Sequence, residues 1–211
     1  CLNHGCVPSK SLLAAAKRVW MARNSQAMGY CVETDRLDFS AVMQYVQHVI
    51  DKIAPHDSQA RFERLGVKVV REYASFMGKR TLVANGIRYR ARRIVIATGS
   101  SPKIPPIPGL TSTPHLTNET IFSLREAPSH LLIIGAGPIG IEMACAFAMM
   151  GIKVTLLESA TLMGRESDAI QRCVRERLVS LGIVVMDTVN IEEISGDDTS
   201  ITLRAQHDNQ A

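Results

Sequence analysis

The stretch that decides the fold is HLLIIGAGPIGIEMACAFAMMGIKVTLLES, residues 130–159. An apolar run at 131–134 leads into three closely spaced glycines. Helix-forming residues at 138–150 follow, and a second apolar run occupies 153–158. This order predicts a buried strand, a tight loop, a helix and a second, parallel strand.

The three glycines have the spacing GxGxxG, which is typical of a dinucleotide-binding loop when it joins a strand to a helix. Gly135 allows the tight turn, Gly137 lets the backbone approach a pyrophosphate, and Gly140 lets helix and strand pack closely. The helix that begins at Pro138 and Ile139 directs free N–H groups and a partial positive charge at the phosphates. A glycine-rich turn that binds nothing is the alternative.

Glu158 ends the second strand, 18 residues after Gly140. An acidic residue there is expected to bind a ribose hydroxyl and to repel a 2′-phosphate, which favours NADH over NADPH. Arg165 follows closely and could weaken that discrimination.

Strands and helices continue to alternate after this stretch, which predicts a parallel, doubly wound sheet. The expected elements are a helix at 167–181 and strands at 183–186, 189–194 and 199–205. Before it, the stretch SSPKIPPIPGLTSTPH is rich in proline, glycine and serine and predicts a linker. We therefore expect one domain at 1–115 and another at 116–211.

The N-terminal half predicts helices first and strands afterwards. Helices are expected at 7–28 and at 38–66, the second interrupted at Pro55. Short strands are expected at 67–76, 80–85 and 87–98, with a hairpin turn at Asn85-Gly86. The segment IVIATGSSP, residues 94–102, is typical of a buried strand that enters a tight loop.

Composition narrows the class of protein. The 211 residues are 46% hydrophobic and 21% charged, with a net charge of +4 and no basic stripe, which argues against nucleic acid as a partner. The apolar runs are too short for a membrane helix. Five cysteines with one close pair do not predict a secreted disulfide framework, and favour a reducing, cytoplasmic location. Cys145 and Cys173 are interpreted as packing residues.

Cys1 and Cys6 open the chain in CLNHGCVPSK. They could be unrelated thiols, half of a zinc site, or a redox pair. The spacing is unusual for zinc, and no second ligand pair follows at a suitable distance. Pro8 places Cys6 near the positive end of a helix, and Lys10 adds a cation, so both features stabilise a thiolate and favour the redox interpretation.

Three motifs together resemble one family. CLNHGCVPSK is similar to the active-site segment of the FAD-dependent pyridine nucleotide–disulfide oxidoreductases, which include glutathione reductase, dihydrolipoamide dehydrogenase and mercuric reductase. IVIATGSSP resembles their second flavin-contacting strand, and IIGAGPIGIE resembles their NAD(P) fingerprint. The motifs occur in the family's order, and CVPSK, PPIPGL and TNETIF favour mercuric reductase-like and dihydrolipoamide dehydrogenase-like members.

The resemblance implies roles for four catalytic residues. Cys1 would be the interchange thiol that attacks substrate, and Cys6 the charge-transfer thiol against the flavin. Lys10 would lie near the flavin N5 and pair with Glu142, with both charges buried together. Electrons would pass from NAD(P)H through FAD and the Cys1–Cys6 disulfide to a disulfide, a dihydrolipoyl group or Hg(II).

The resemblance also implies the fold: α/β, with two Rossmann-like FAD/NAD(P)-binding domains of three-layer ββα character, both incomplete in this chain. Backbone at Thr98, Gly99 and Ser100 would approach the flavin nucleotide, and Ala74 would contact its adenine end. No resident metal is implied.

Other parts of the family pattern have no match in the chain, among them the first GxGxxG and the C-terminal dimerisation domain with its His–Glu pair. We therefore expect an inactive fragment of a homodimeric enzyme. The role of His4, which lies between the two cysteines, stays open between tuning the thiolates and facing solvent. Two alternatives are a non-catalytic nucleotide-binding or redox-sensing domain and a relative of flavoprotein NADH oxidases or transhydrogenases, although members of the second group usually lack the cysteine pair.

Overall fold

The computed structural model describes residues 1–29 and 36–207, with only the backbone given for Ala27, Met28 and His207. The chain forms two compact units. The first comprises Cys1–Asp51 and Pro102–Ala211, and the second comprises Lys52–Ser101. Cys31 lies outside the described residues.

The chain begins with helices, continues with a small antiparallel sheet and then alternates between strands and helices. The helices are α1 (Cys6–Arg23), α2 (Phe39–Ile53), α3 (Gln59–Arg64), α4 (Pro138–Met149) and α5 (Asp168–Ser180). The strands are β1 (Ser75–Phe76), β2 (Thr81–Ala84), β3 (Ile87–Arg90), β4 (His130–Ile134), β5 (Lys153–Leu157), β6 (Val184–Met186), β7 (Val189–Gly196) and β8 (Ile201–His207). Short 3-10 helices occupy Ser25–Met28, Ala54–Asp57, Leu110–Ser112 and Ile121–Ser123.

A parallel three-stranded sheet organises the first unit, in the order β4-β5-β6. The register places Leu132 opposite Thr155 and Leu156 opposite Val185. Parallel neighbours require a crossover connection, and α4 and α5 supply the two that are needed. The predicted alternation of strand and helix is therefore confirmed, and the chain has an α/β fold.

The core of this unit is formed by apolar side chains from α1, α2, α4 and the sheet. Phe39 of α2 lies against Phe147 of α4, with ring centroids 6.0 Å apart. The largest side chains with less than 2% exposure in this core are Leu12, Met43, Val46, Phe147, Met150, Val154, Leu156, Leu162 and Leu178. Because α1 and α4 both contribute to this core, their N-terminal turns are held in fixed positions.

Helix α1 begins one residue earlier and ends earlier than the predicted 7–28. Cys6 is its first residue, and Pro8 occupies the first turn, where its missing N–H costs nothing. The Asn24 side chain donates to the Trp20 carbonyl at 2.8 Å and ends the helix. One 3-10 turn follows and stops at Gly29, whose φ is +80°.

The interruption predicted at Pro55 is confirmed. Helix α2 ends at Ile53, a 3-10 turn runs from Ala54 to Asp57, and α3 begins at Gln59. Ser58 caps α3, because its hydroxyl accepts a hydrogen bond from the Arg61 N–H at 3.3 Å.

The second unit contains the antiparallel meander β1-β2-β3. Asn85 and Gly86 join β2 to β3 with φ of 49° and 69°, as a type I′ hairpin turn requires, so the predicted hairpin is confirmed. The basic residues Arg88 and Arg90 are exposed along β3.

Two strand predictions in this unit are wrong. Of the strand expected at 67–76, only Ser75–Phe76 forms, and residues 94–98 are not a strand. Val95 and Ile96 are 87% and 71% exposed. An apolar run indicates a tendency to be buried, but a strand also needs neighbouring N–H and C=O partners. Within the described residues, no strand pairs with 94–98.

The strands expected at 189–194 and 199–205 form as β7 and β8. They pair with each other as a separate antiparallel hairpin and do not extend the parallel sheet, so the parallel arrangement expected for them is wrong. Cys145 is half-buried against the core, which confirms its packing role, whereas Cys173 is exposed and its predicted packing role is wrong. None of the described helices is both long enough and apolar enough to cross a membrane.

Candidate redox and dinucleotide site

The two N-terminal cysteines lie side by side. Their sulfur atoms are 3.5 Å apart, both residues are exposed, and both thiols are free. A disulfide bond measures about 2.05 Å, so the two sulfurs need to approach by only about 1.5 Å to be joined. The chain turn between them is held by a hydrogen bond from the Val7 N–H to the Cys1 carbonyl at 3.1 Å.

Cys6 is the first residue of α1, with Gly5 as the N-cap. The positive end of the helix dipole therefore lies beside this thiol. Cys1 lies on the preceding turn, before the helix begins.

Lys10 and Glu142 are brought together from α1 and α4, as the resemblance implied. The Lys10 Nζ lies 2.5 Å from the Glu142 Oε1. The hydrogen bond to Glu142 is the main cause that raises the pKa of Lys10. However, the side chains are 62% and 31% exposed, so the expectation that both charges are buried is wrong for the described chain. The lysine head group extends beyond the core that fixes the helix backbones.

The glycine-rich loop between β4 and α4 has the expected geometry. Gly135 has a φ of +104°, a conformation that favours glycine. A Cβ at Gly140 would lie 2.0 Å from the Gly135 carbonyl oxygen, so only glycine fits there. A Cβ at Gly137 would meet no atom within 4 Å, and Pro138 and Ile139 are exposed beside it. The open face of the loop is thus free for an anionic group, and these residues fit a dinucleotide pyrophosphate.

Glu158 reaches this loop from the end of β5. Its carboxylate accepts hydrogen bonds from the Ala136 N–H at 2.8 Å and the Ala160 N–H at 3.0 Å. Partial burial raises the pKa of Glu158, but these backbone donors outweigh burial and hold the pKa below its ordinary value. The carboxylate is therefore ionised at neutral pH. Arg165 is exposed in the segment that follows.

The residues assigned to the flavin nucleotide lie in the second unit. Thr98, Gly99 and Ser100 are exposed in an irregular segment, and Gly99 has a φ of +74°. A stretch of small residues with accessible backbone fits close approach by a nucleotide. Ala74 contributes to a shallow hollow lined by Val70, Glu72, Ala74, Leu82, Ala84 and Tyr89.

The structure adds polar contacts of two residues, Asn118 and Asp187, that the sequence did not predict. The Asn118 side-chain amide donates to the His4 carbonyl at 3.0 Å, between the two cysteines. Asp187, which follows β6, accepts from the Leu162 N–H at 3.2 Å and from Arg175 at 2.5 Å. No spacing rule in the sequence joins residues as far apart as His4 and Asn118, which are separated by 114 positions. Among the described residues, no cluster of three or more His, Cys, Asp or Glu could hold a metal ion.

Comparison with known proteins agrees with this geometry. Residues 1–211 match the profile of the pyridine nucleotide-disulphide oxidoreductases, and the chain belongs to that family. It is 29% identical to a mercuric reductase of Staphylococcus aureus over 100% of this chain and 39% of that protein. It is 34% identical to a dihydrolipoyl dehydrogenase of Geobacillus stearothermophilus over 88% of this chain and 40% of that protein.

A solved structure is also similar, that of the HOCl-induced flavoprotein disulfide reductase RclA from Escherichia coli. The TM-score is 0.77 at 28% sequence identity, over 98% of this chain and 44% of that one. The chain therefore spans roughly two fifths of the length of these relatives. Membership of the family agrees with the resemblance drawn from the three motifs.

Proposed function

We propose that this chain is part of an oxidoreductase that uses NAD(P)H and FAD to reduce a Cys1–Cys6 disulfide. The reduced pair then acts on a disulfide, a dihydrolipoyl group or Hg(II). The observation that carries the proposal is the 3.5 Å separation of two free, exposed thiols at the start of α1. Nicotinamide and flavin would supply hydride transfer, and the remaining steps belong to side chains of this chain.

The two thiols have different positions and therefore different roles. The Cys1 thiolate attacks one sulfur of a disulfide substrate, breaks its S–S bond and releases one half as a thiol. The Cys6 thiolate then attacks the Cys1 sulfur of the mixed disulfide, which forms the Cys1–Cys6 bond and releases the second half. Cys6 takes the second role because it is the first residue of α1, whereas Cys1 lies on the turn before the helix. With Hg(II), the same pair offers two soft sulfur ligands.

Lys10 and Glu142 act together beside this pair. Lys10 lies one turn into α1 from Cys6, and its ammonium group is held by Glu142. A cation fixed there would stabilise the negative charge of a reduced flavin bound nearby. Glu142 holds the exposed lysine head group through this ion pair.

The loop between β4 and α4 is the proposed NAD(P)H site. Gly135, Gly137, Pro138, Ile139 and Gly140 would hold the pyrophosphate at the α4 N-terminus. Glu158, ionised at the end of β5, would accept hydrogen bonds from an adenosine ribose hydroxyl. Its negative charge favours NADH, and a strong preference for NADPH in catalytic efficiency would contradict this assignment.

The remaining assignments follow the same proposal. Residues 1–115 would belong to a FAD-binding domain, with Ala74 and Thr98, Gly99 and Ser100 toward the flavin nucleotide, and 116–211 to a NAD(P)-binding domain. The whole protein would be a homodimer that works in the cytoplasm, where thiols are kept reduced.

The test uses the protein that contains this chain, assayed for NADH-dependent reduction of oxidised glutathione, lipoamide and Hg(II). Cys6→Ser should abolish turnover with all three, because no intramolecular disulfide can form. Cys173→Ser is the matched control and should retain activity, since that exposed thiol lies on α5. Full turnover in Cys6→Ser would overturn the proposal.

A redox-sensing domain is the second candidate, because both thiols of the pair are exposed to oxidants. It predicts reversible formation of the Cys1–Cys6 disulfide without NADH-dependent turnover. The same assay separates the two functions.

A further inference from the structure

A side chain from a distant part of the chain contacts the loop between the two cysteines. The Asn118 Nδ2 donates a hydrogen bond to the His4 carbonyl oxygen at 3.0 Å. His4 lies two residues before Cys6, within the loop that any Cys1–Cys6 disulfide would close. Asn118 lies in the same compact unit, 114 positions further along the chain.

The turn that carries Asn118 is itself firmly held. The Thr120 hydroxyl accepts a hydrogen bond from the Thr117 N–H at 2.9 Å, and the Ile121 N–H donates to the Thr117 carbonyl at 2.9 Å. Ile121 is buried in the core that also contains Leu12 of α1. The amide of Asn118 is therefore presented from a position fixed by the core, on a turn held by the hydrogen bonds of Thr117, Thr120 and Ile121.

The cysteine loop has little freedom of its own. The Val7 N–H donates to the Cys1 carbonyl, and the Ser9 N–H donates to the Gly5 carbonyl, both at 3.1 Å. A Cβ at Gly5 would lie 3.1 Å from the Cys1 Cα, so the chain turns back tightly on itself. These bonds restrain both ends of the loop, and the bond from Asn118 restrains its middle from outside.

We propose that Asn118 is a positioning residue for the Cys1–Cys6 pair, since its amide holds the intervening loop so that the two sulfurs stay within reach of each other. The proposal rests on the proposed dithiol–disulfide chemistry and adds a residue to it. A restrained loop loses less conformational entropy when the Cys1–Cys6 disulfide closes the ring, so the restraint favours the disulfide over the dithiol.

The equilibrium can be written with glutathione disulfide as the oxidant. Cys1 and Cys6 lose two protons and two electrons, and one S–S bond forms between them. The S–S bond of glutathione disulfide breaks, and its halves take up those electrons and protons as two glutathione thiols. The equilibrium constant of this exchange measures how strongly the loop favours the closed pair.

Replacement of Asn118 should weaken the disulfide without unfolding the chain. A hydrogen bond of this kind contributes a net effect that corresponds to a roughly two- to tenfold change in an equilibrium constant. We expect Asn118→Ala and Asn118→Leu to lower the constant for disulfide formation by that factor. Leucine keeps the size of the side chain and removes the donor, so a shared effect reports the lost hydrogen bond.

The experiment equilibrates the full 211-residue chain in glutathione buffers, traps free thiols by alkylation, and measures the oxidised fraction by mass spectrometry. Asn24→Ala is the matched control, because the Asn24 amide also donates to a backbone carbonyl, that of Trp20 at 2.8 Å, at the other end of α1. The control should leave the constant unchanged even where it lowers the melting temperature.

The outcomes separate the two proposals. A wild-type constant in both Asn118 variants, or an equal shift in Asn24→Ala, overturns the role of Asn118 and leaves the redox pair intact. A wild-type chain that forms no Cys1–Cys6 disulfide at any buffer ratio overturns the proposed chemistry as well. A lowered constant confined to the Asn118 variants supports both.

Discussion

At the scale of single residues, position within the fold separates side chains of the same type. Cys1 and Cys6 form an exposed pair, Cys145 packs half-buried, and Cys173 faces solvent. The motif predicted the pair, because Cys1 and Cys6 are five positions apart and Cys6 begins a helix, so that one turn of chain can bring the two sulfurs together. Spacing did not predict the exposure of Cys173, since an amphipathic pattern describes a whole helix face rather than one position on it.

Glu158 provides a prediction on pH. Its pKa is depressed in the folded chain, so its hydrogen bonds to Ala136 and Ala160 stabilise the fold above the ordinary glutamate pKa of 4.5. That contribution is lost as the pH falls through the lower, folded-state pKa. Glu158→Gln should therefore be less stable than wild type at pH 7, and the difference should shrink below about pH 4.

Urea denaturation of both proteins at pH 7 and pH 3.5 measures this difference. Taking the difference removes the contributions of Asp187 and Asp197, whose pKa values are also lowered and which both proteins share. A stability gap that grows toward acid would show that the carboxylate gains nothing from its backbone donors.

At the scale of elements, the unit β4–loop–α4–β5 was the most predictable part of the chain. Its apolar runs are continuous, and its glycines have the spacing of one loop geometry. The two strands that pair, β4 and β5, also lie close together along the sequence. The segment 94–98 has an equally apolar pattern but forms no strand. The difference is that β4 finds its neighbour β5 within thirty residues, whereas 94–98 has no paired neighbour in the described part of the chain.

Two glycines of the loop between β4 and α4 predict losses of stability of different size. Gly140→Ala places a methyl group 2.0 Å from the Gly135 carbonyl, so the loop or the helix has to shift, at a cost of about 1–3 kcal/mol. Gly137→Ala meets no atom within 4 Å, and its φ of −75° suits any residue, so unfolding free energy should fall by less than about 1 kcal/mol.

Although Gly137→Ala should cost little stability, it should strongly weaken the binding of NADH. A methyl group there points into the open face of the loop and should weaken NADH binding at least tenfold, as measured by calorimetry on the protein that contains the chain. If Gly137→Ala binds NADH as tightly as wild type, the assignment of this loop to the pyrophosphate is wrong.

At the scale of the whole molecule, the redox pair and the dinucleotide loop lie on one core, whereas the proposed flavin residues lie in the second unit. The chain also spans roughly two fifths of its relatives' length. We therefore predict that the 211-residue chain alone is colourless and fails to oxidise NADH. Visible absorbance at 450 nm and NADH consumption test this, and a yellow chain with turnover would refute it.

The sequence by itself determined the family, the parallel strand–helix alternation and the hairpin at Asn85-Gly86, and it predicted a redox pair at Cys1 and Cys6. Each of these depends on neighbours along the chain or on a motif whose spacing encodes one geometry. Only the tertiary structure decided the exposure of Lys10, the absence of a strand at 94–98 and the bond from Asn118 to His4. Those features depend on tertiary contacts between segments that are distant in the sequence. Local patterns of polarity and secondary-structure propensity carry no information about such contacts.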